Sequence, residues 1–395
     1  MRTPAADTVA IVLVGDELLS GHTADRNGSW LGRTLTDAGL RVIGITVSPD
    51  NPFAVVRVMQ RALEDAAAVV VTGGLGPTSD DVTRPALAGL RAGPQRQLTN
   101  RVGTEPGVVL DTDGGMVYAV PGVPAEMRTM VTEQVLPRLL AAAGALPPRA
   151  TRSLTVVGVR ETEVAERLHP LLTTLSEKCT VSYLPRPAEV HVVFRLTGDE
   201  AETSAAAAVQ AAGELLGDFV AAVDQRIEES LVTALRARGV TVATAESLTG
   251  GLLAAGLVSV PGASDVFRGG VVAYARDLKA ELAGVPRAVL DRNGTVAAGT
   301  AAAMADGVRR RCHSVFGVAT TGVAGPDPHD GHPPGTFHVA VSAAAGQRVI
   351  SYRPTVTRDR DTVRRLAVVH ALDLLRRTVH GLGRARGESE QPAAR

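Results

Sequence analysis

The sequence predicts an α/β protein in which two three-layer α/β/α domains are joined by a small α+β split-βαβ domain. Three observations carry this expectation. Uninterrupted apolar runs at 9–14 and 67–71 alternate with helical patterns, as strands buried on both faces of a parallel sheet require. Residues 151–223 read strand, helix, strand, strand, helix, strand, the order of a split-βαβ unit. From residue 224 the strand–helix alternation resumes. With 395 residues, 45% of them hydrophobic, the chain is long enough for two or three cores.

Taken in order, strand 9–14 leads to a helix around 27–38, strand 41–47, a helix around 53–65 and strand 67–71. Leu146-Pro147-Pro148-Arg149 reads as a linker, closing a first domain at 1–147. The second, 151–223, holds strands 153–159, 181–184, 189–196 and 219–223, with helices 161–175 and 199–216. The third, 224–381, opens with helix 227–238 and strand 240–244, after which a helix begins near Ser247. Strands 270–274, 314–319, 335–343 and 348–352 then alternate with helices near 277–283, 296–311 and 359–379. The segment 382–395 is too polar to pack and reads as a disordered tail.

Composition excludes several functions. Lys+Arg and Asp+Glu each number 41 and only 3% of residues are aromatic. Neither bulk charge nor stacking platforms therefore favour nucleic acid. Cys179 and Cys312 stand in no metal-type spacing, which fits a reducing, cytoplasmic setting. The uncharged stretch 247–264 carries four glycines and a proline, unlike a membrane span of about 20 apolar residues.

Only Lys178 and Lys279 among the 41 basic residues are lysines. Lys178 has no motif around it. Lys279 follows Gly269-Gly270-Val271-Val272-Ala273-Tyr274, downstream of Thr244-Ala245-Glu246-Ser247-Leu248-Thr249-Gly250-Gly251. A buried lysine near a serine can lose its proton and act as a general base, which arginine cannot. Against this stand the plain readings of Ser247 as a helix N-cap and Lys279 as a solvated charge. Backbone N–H groups at a helix start near Ser247 can also hold an oxyanion.

A glycine-rich loop, Thr321-Gly322-Val323-Ala324-Gly325-Pro326, ends a buried strand where α/β domains place ligands. Arg358, Arg360 and Arg364 cluster at the start of the last helix. Either they are solvated, with Asp359 and Asp361 as capping charges, or some bind a phosphate. His329, Asp330 and His332 suggest a metal, but a proline-flanked polar loop is the better reading. In the first domain Gly15-Asp16-Glu17 and Thr72-Gly73-Gly74-Leu75-Gly76-Pro77-Thr78-Ser79-Asp80-Asp81 end strands. Their glycines allow close approach to phosphates, and Asp80 and Asp81 can hold a divalent cation. The plain alternative is a glycine turn followed by helix-capping acids.

The landmarks of the third domain, with Pro334-Gly335-Thr336 and the Arg360/Arg364 pair, resemble the C-terminal domain of the competence/damage-inducible protein A (CinA) family. That domain is similar to nicotinamide-nucleotide amidohydrolases. The first domain's loops resemble the family's molybdopterin-binding-like N-terminal domain, as do Asn27-Gly28-Ser29-Trp30-Leu31, Gly103-Thr104-Glu105-Pro106-Gly107 and Pro121-Gly122-Val123-Pro124-Ala125-Glu126-Met127. The resemblance implies hydrolysis of the carboxamide of nicotinamide mononucleotide in pyridine-nucleotide salvage. Ser247 would be the nucleophile and Lys279 its base, helped by Tyr274. It places Thr249, Gly250, Gly251, Thr321, Gly322, Gly325, Arg360 and Arg364 at the substrate, with no cofactor.

For the first domain the resemblance implies a phosphate or metal loop of Gly15, Asp16, Glu17, Gly73, Gly74, Gly76, Asp80 and Asp81. A metal-dependent ADP-ribose pyrophosphatase there is an alternative or additional activity, and a non-catalytic nucleotide- or pterin-binding, competence-associated protein is another. The implied partners are a small-molecule nucleotide substrate and a second copy in a homodimer, with no membrane. Three departures are visible: Leu248 replaces a usual cysteine, His332 stands where a lysine is common, and 91–99 replaces a long helical insertion.

Overall fold

A computed structural model describes residues 4–90, 92–354 and 358–381; the expected tail 382–395 lies outside the described residues. The chain forms two compact units. One comprises the chain to Ala150 with Thr197–Ala201, the other Thr151–Leu196 with the chain from Glu202 onward. Among the described residues no helix is long and apolar enough to cross a membrane.

The first unit is built on strands β1 (Thr8–Val14), β2 (Arg41–Ser48), β3 (Ala68–Thr72), β4 (Ala92–Leu98), β5 (Gly107–Thr112) and β6 (Gly115–Val120), in the order β2-β1-β3-β6-β5-β4. The pairs β1–β2, β1–β3 and β3–β6 are parallel, while β5 and β4 add antiparallel at one edge. Alternation along β1 explains why it is apolar from Val9 to Val14. Ala10, Val12 and Val14 enter one core with Val55 and Met59 of helix Pro52–Asp65. Val9, Ile11 and Leu13 enter the other, with Leu31 and Leu35 of helix Asn27–Asp37. Asn51 starts helix Pro52–Asp65 by accepting from the N–H groups of Phe53 and Ala54, the usual work of an asparagine N-cap. The short 91–99 segment contributes an edge strand, pairing Leu98 with Gly107. Because β2 and β3 flank β1 on opposite sides, the loops after β1 and β3 open a crevice at a topological switch point.

In the second unit, β7 (Arg149–Val157), β8 (Cys179–Arg186), β9 (Glu189–Thr197) and β10 (Val220–Val223) form a sheet in the order β10-β7-β9-β8. This is the arrangement a split-βαβ unit adopts. It does not stand apart from the following domain: Val157 and Ala221 share a core with Ile227, Leu253 and Leu372, and Ala188 packs against it.

The remaining sheet comprises β11 (Val242–Glu246), β12 (Phe267–Val272), β13 (Phe316–Gly322), β14 (Phe337–Ala343) and β15 (Gly346–Tyr352), in the order β12-β11-β13-β14-β15. β11 runs parallel to both its neighbours, β12 and β13, while β14 and β15 add antiparallel beyond β13. One face carries Val242, Phe316 and Val318 against helices Ile227–Ala237 and Arg360–Gly381. The other is lined by Ala243, Ala245, Ala319 and Ala340, small enough for helix Ala298–Arg311 to lie close. Gly317 allows the closest approach, since a Cβ there would sit 1.9 Å from the Ala305 carbonyl oxygen. The register of β11 differs from expectation by two residues, so the strand extends to Glu246 and delivers Ser247 at its carboxyl end.

Candidate active site

Ser247 follows β11 directly and is 7% exposed, its N–H donating to the Thr320 carbonyl at 2.9 Å. The expected helix does not begin there. Gly250 and Gly251 take φ of 58° and 96°, conformations that favour glycine, and the helix starts at Leu252. Nor are its first amides free for an oxyanion. The Glu246 carboxylate, 1% exposed, accepts from Gly251 and Leu253 N–H at 3.0 Å and from Ala254 N–H at 2.8 Å. It occupies the positive pole of the helix as an anionic cap. The backbone N–H groups of Leu248 and Thr249 donate to no protein acceptor among the described residues.

Lys279 lies on the short helix Arg276–Glu281 and is 1% exposed. Its Nζ donates to Ser247 Oγ at 2.7 Å and to the Ala273 carbonyl at 2.8 Å, both neutral acceptors. Burial pushes its pKa down from 10.5 to about 8, with the Asp330 carboxylate acting the other way. A charge is costly where its partners are neutral, so this ammonium gives up its proton readily.

Ser247 and Lys279 face a cleft of about 280 Å³ shared with Leu248, Tyr274, Thr321, Gly322, Gly325 and Arg360. Thr321 Oγ1 donates to the Thr295 carbonyl at 2.7 Å. Thr295 in turn donates its N–H and hydroxyl to Asp330 at 2.8 and 2.5 Å. These bonds hold the Asp330 carboxyl below its ordinary pKa. Asp330 is thus engaged by Thr295, and the His329–Asp330–His332 segment folds as a polar turn closed by a bridge between its histidines. Arg360 donates to the Gly325 carbonyl at 2.6 Å and to the Tyr274 hydroxyl at 2.8 Å, spanning the mouth.

Four expected substrate contacts lie outside this lining. Thr249 is fully buried, its hydroxyl 2.7 Å from that of Thr320. Gly250 and Gly251 form the turn. Arg364 donates to the Leu248 and Thr249 carbonyls at 3.2 and 3.0 Å, so its guanidinium holds the nucleophile turn where a phosphate contact was expected. Asp359 starts the last helix by accepting from Thr362 N–H and hydroxyl, which is the capping alternative for that arginine cluster. Sequence reasoning assigned no role to Glu246, Thr295 or Thr320. Glu246 alone carried a signal: an acidic residue closing a buried strand needs a buried partner.

In the first unit, Gly15, Glu17, Gly73, Gly74, Gly76, Asp80 and Asp81 line a larger cleft of about 820 Å³. Gly73 has φ of 102°, and a Cβ there would meet the Val14 carbonyl at 2.4 Å. Asp16 does not line the cleft; it exchanges hydrogen bonds with Asp50. Burial, with Asp16, Glu17 and Asp80 nearby, pushes the Asp50 carboxyl up. Of the expected Asp80/Asp81 pair, which shares this cleft, Asp81 is engaged within the loop. One Asp81 oxygen accepts from the Thr78 N–H at 2.9 Å and from its hydroxyl at 2.5 Å. No three His, Cys, Asp or Glu side chains gather to hold a metal among the described residues. Asp81 ties down the glycine loop, while Asp80 lines the same cleft.

Comparison with known proteins accounts for nearly the whole chain. The CinA C-terminal domain model matches residues 224–379, the model described as "Probable molybdopterin binding domain" 10–141, and the damage-inducible protein CinA KH domain model 151–232. A CinA-like protein from Frankia casuarinae is 38% identical over 94% of this chain and 96% of its own. One from Myxococcus xanthus is 34% identical over 93% and 97%. The crystal structure of competence/damage inducible protein CihA from Agrobacterium tumefaciens is 34% identical, covering 39% of this chain and 93% of its own, with a TM-score of 0.37. Identity of this order over full length makes the chain a member of the CinA family, with a molybdopterin-binding-like domain preceding its CinA C-terminal domain.

Proposed function

We propose that the C-terminal domain hydrolyses the carboxamide of nicotinamide mononucleotide to nicotinate mononucleotide and ammonia. The observation that carries this reading is the buried Lys279 Nζ at 2.7 Å from Ser247 Oγ. Neutral Lys279 takes the hydroxyl proton as Oγ bonds to the amide carbon. The oxyanion forms in the cleft that Leu248 also lines, and the Leu248 N–H, which donates to no acceptor among the described residues, is the nearest backbone donor in sequence to Ser247. The C–N bond then breaks, the Lys279 ammonium returning its proton to the departing nitrogen as ammonia. Water, deprotonated by the same amine, opens the acyl ester and restores Ser247. Arg360, at the mouth, is the cation suited to the phosphate. The test is ammonia release from nicotinamide mononucleotide by the purified chain, with hydroxylamine trapping of the acyl-enzyme. Activity in full from Ser247→Ala would sink the reading.

A second reading concerns the first domain, where a glycine-walled cleft of about 820 Å³ sits at a topological switch point. That setting favours binding of a nucleotide or pterin phosphate. Hydrolysis of ADP-ribose, assayed as AMP release with and without added magnesium, separates a pyrophosphatase from a binding domain.

A further inference from the structure

A second cavity of about 340 Å³ opens where the β8–β9 hairpin meets two helices of the C-terminal domain, away from the Ser247 cleft. Its floor is apolar, made by Leu252 and Gly256 on one helix and Val368 and Val369 on the other. Arg186, Arg226 and Arg365 stand around it. Arg226 and Arg365 pair with Glu229 and Asp361, whereas Arg186, at the hairpin tip, pairs with no carboxylate among the described residues. Two carboxylates, Glu189 and Glu228, share the walls. Glu189 and His191 are only 12% and 14% exposed and lie 3.4 Å apart. Nothing in the Ser247 chemistry uses this pair.

We propose that this cavity is a binding site for a mononucleotide-class ligand. A flat heteroaromatic ring fits the apolar floor, an amino-bearing ring edge suits the two carboxylates, and a phosphate suits Arg186. The volume has room for one ring and one sugar phosphate. The site adjoins the nucleophile turn through its walls. Leu252 follows Gly251, whose N–H is held by Glu246, and Arg365 follows Arg364, which holds the Leu248 and Thr249 carbonyls. A ligand here braces both helices that pin Ser247. The binding itself does not depend on the amide-hydrolysis reading.

Photolabelling of the full chain with 8-azido-AMP, followed by peptide mapping, tests the site. Label is expected on peptides spanning 186–191 or 252–258, competed by AMP and unchanged by Ser247→Ala. A Cβ at Gly256 meets only Glu228 atoms, at 3.6 Å, so Gly256→Leu fills the cavity with the backbone in place. That variant should weaken AMP competition about tenfold or more. Arg186→Glu, at an exposed tip, should do the same in a folded protein. Label confined to other peptides, or unchanged by both variants, overturns the proposal.

Discussion

Lys279 Nζ sits 2.7 Å from Ser247 Oγ, with the Ala273 carbonyl as its only other acceptor among the described residues. An amine so placed works only when deprotonated, and burial sets its pKa at about 8. The rate should therefore rise with unit slope below pH 8 and level off above it. Lys279→Arg, permanently protonated, should lose at least about 100-fold in kcat. A flat profile between pH 6 and 9 would remove the lysine from the base role.

The same burial makes Lys279 a cost to the fold. Its folded pKa is depressed from 10.5 to about 8, so the unfolded chain binds more protons between those values. Stability accordingly rises with pH across that window, and the full penalty applies below it. Lys279→Met should raise stability at pH 7 by about 2–3 kcal/mol while abolishing turnover. Urea melts at pH 7 and pH 10 check this: the gain should shrink at the higher pH.

Glu246 holds three helix-start amides with one carboxylate. Glu246→Ala leaves those donors unsatisfied in a buried place and should cost about 2 kcal/mol. Glu246→Gln keeps an acceptor and should recover part of it. Thermal denaturation of the pair distinguishes a cap from an inert acid, for which both changes would be neutral.

Arg360 and Arg364 stand one helical turn apart yet face different groups. Arg364→Ala should lower kcat about tenfold or more through a displaced nucleophile turn, with KM little changed. Arg360→Ala should instead raise KM for the phosphorylated substrate and leave nicotinamide riboside unaffected. Steady-state kinetics on both substrates separate the two roles.

Asp81 is expected to act on the glycine loop, since Thr78 takes its carboxylate oxygen. Asp81→Asn should lower protection of the 76–81 amides against hydrogen exchange, and added magnesium should not restore it.

What the sequence made legible was set by local chemistry. The wholly apolar run of β1 announced a strand buried on both faces, and the isolation of Lys279 in an arginine-rich chain singled it out. The start of the helix after Ser247 was misplaced because the serine and both glycines satisfy a capping pattern equally well. Only the choice of Glu246, five to eight residues upstream of the amides it accepts from, decides between them. The β4–β5–β6 edge was not anticipated. In β4 the polar residues Gln95 and Gln97 need a pairing partner to declare themselves, whereas β5 and β6 are short, mostly apolar runs. Arg364 reads as a phosphate ligand in sequence because its true acceptors, two backbone carbonyls more than a hundred residues away, leave no trace in composition.

The capture of the helix pole by Glu246 has a consequence for how any substrate must lie. An anion arriving at Ser247 finds the nearest dipole already neutralised from within, and beside it an amine that is itself uncharged when active. The inner end of the cleft then offers an arriving anion no free positive pole, while Arg360 keeps a permanent positive charge at the mouth. Under the proposed amide hydrolysis, a molecule with one neutral amide and one phosphate would enter head first, its direction set by the polarity of the cleft.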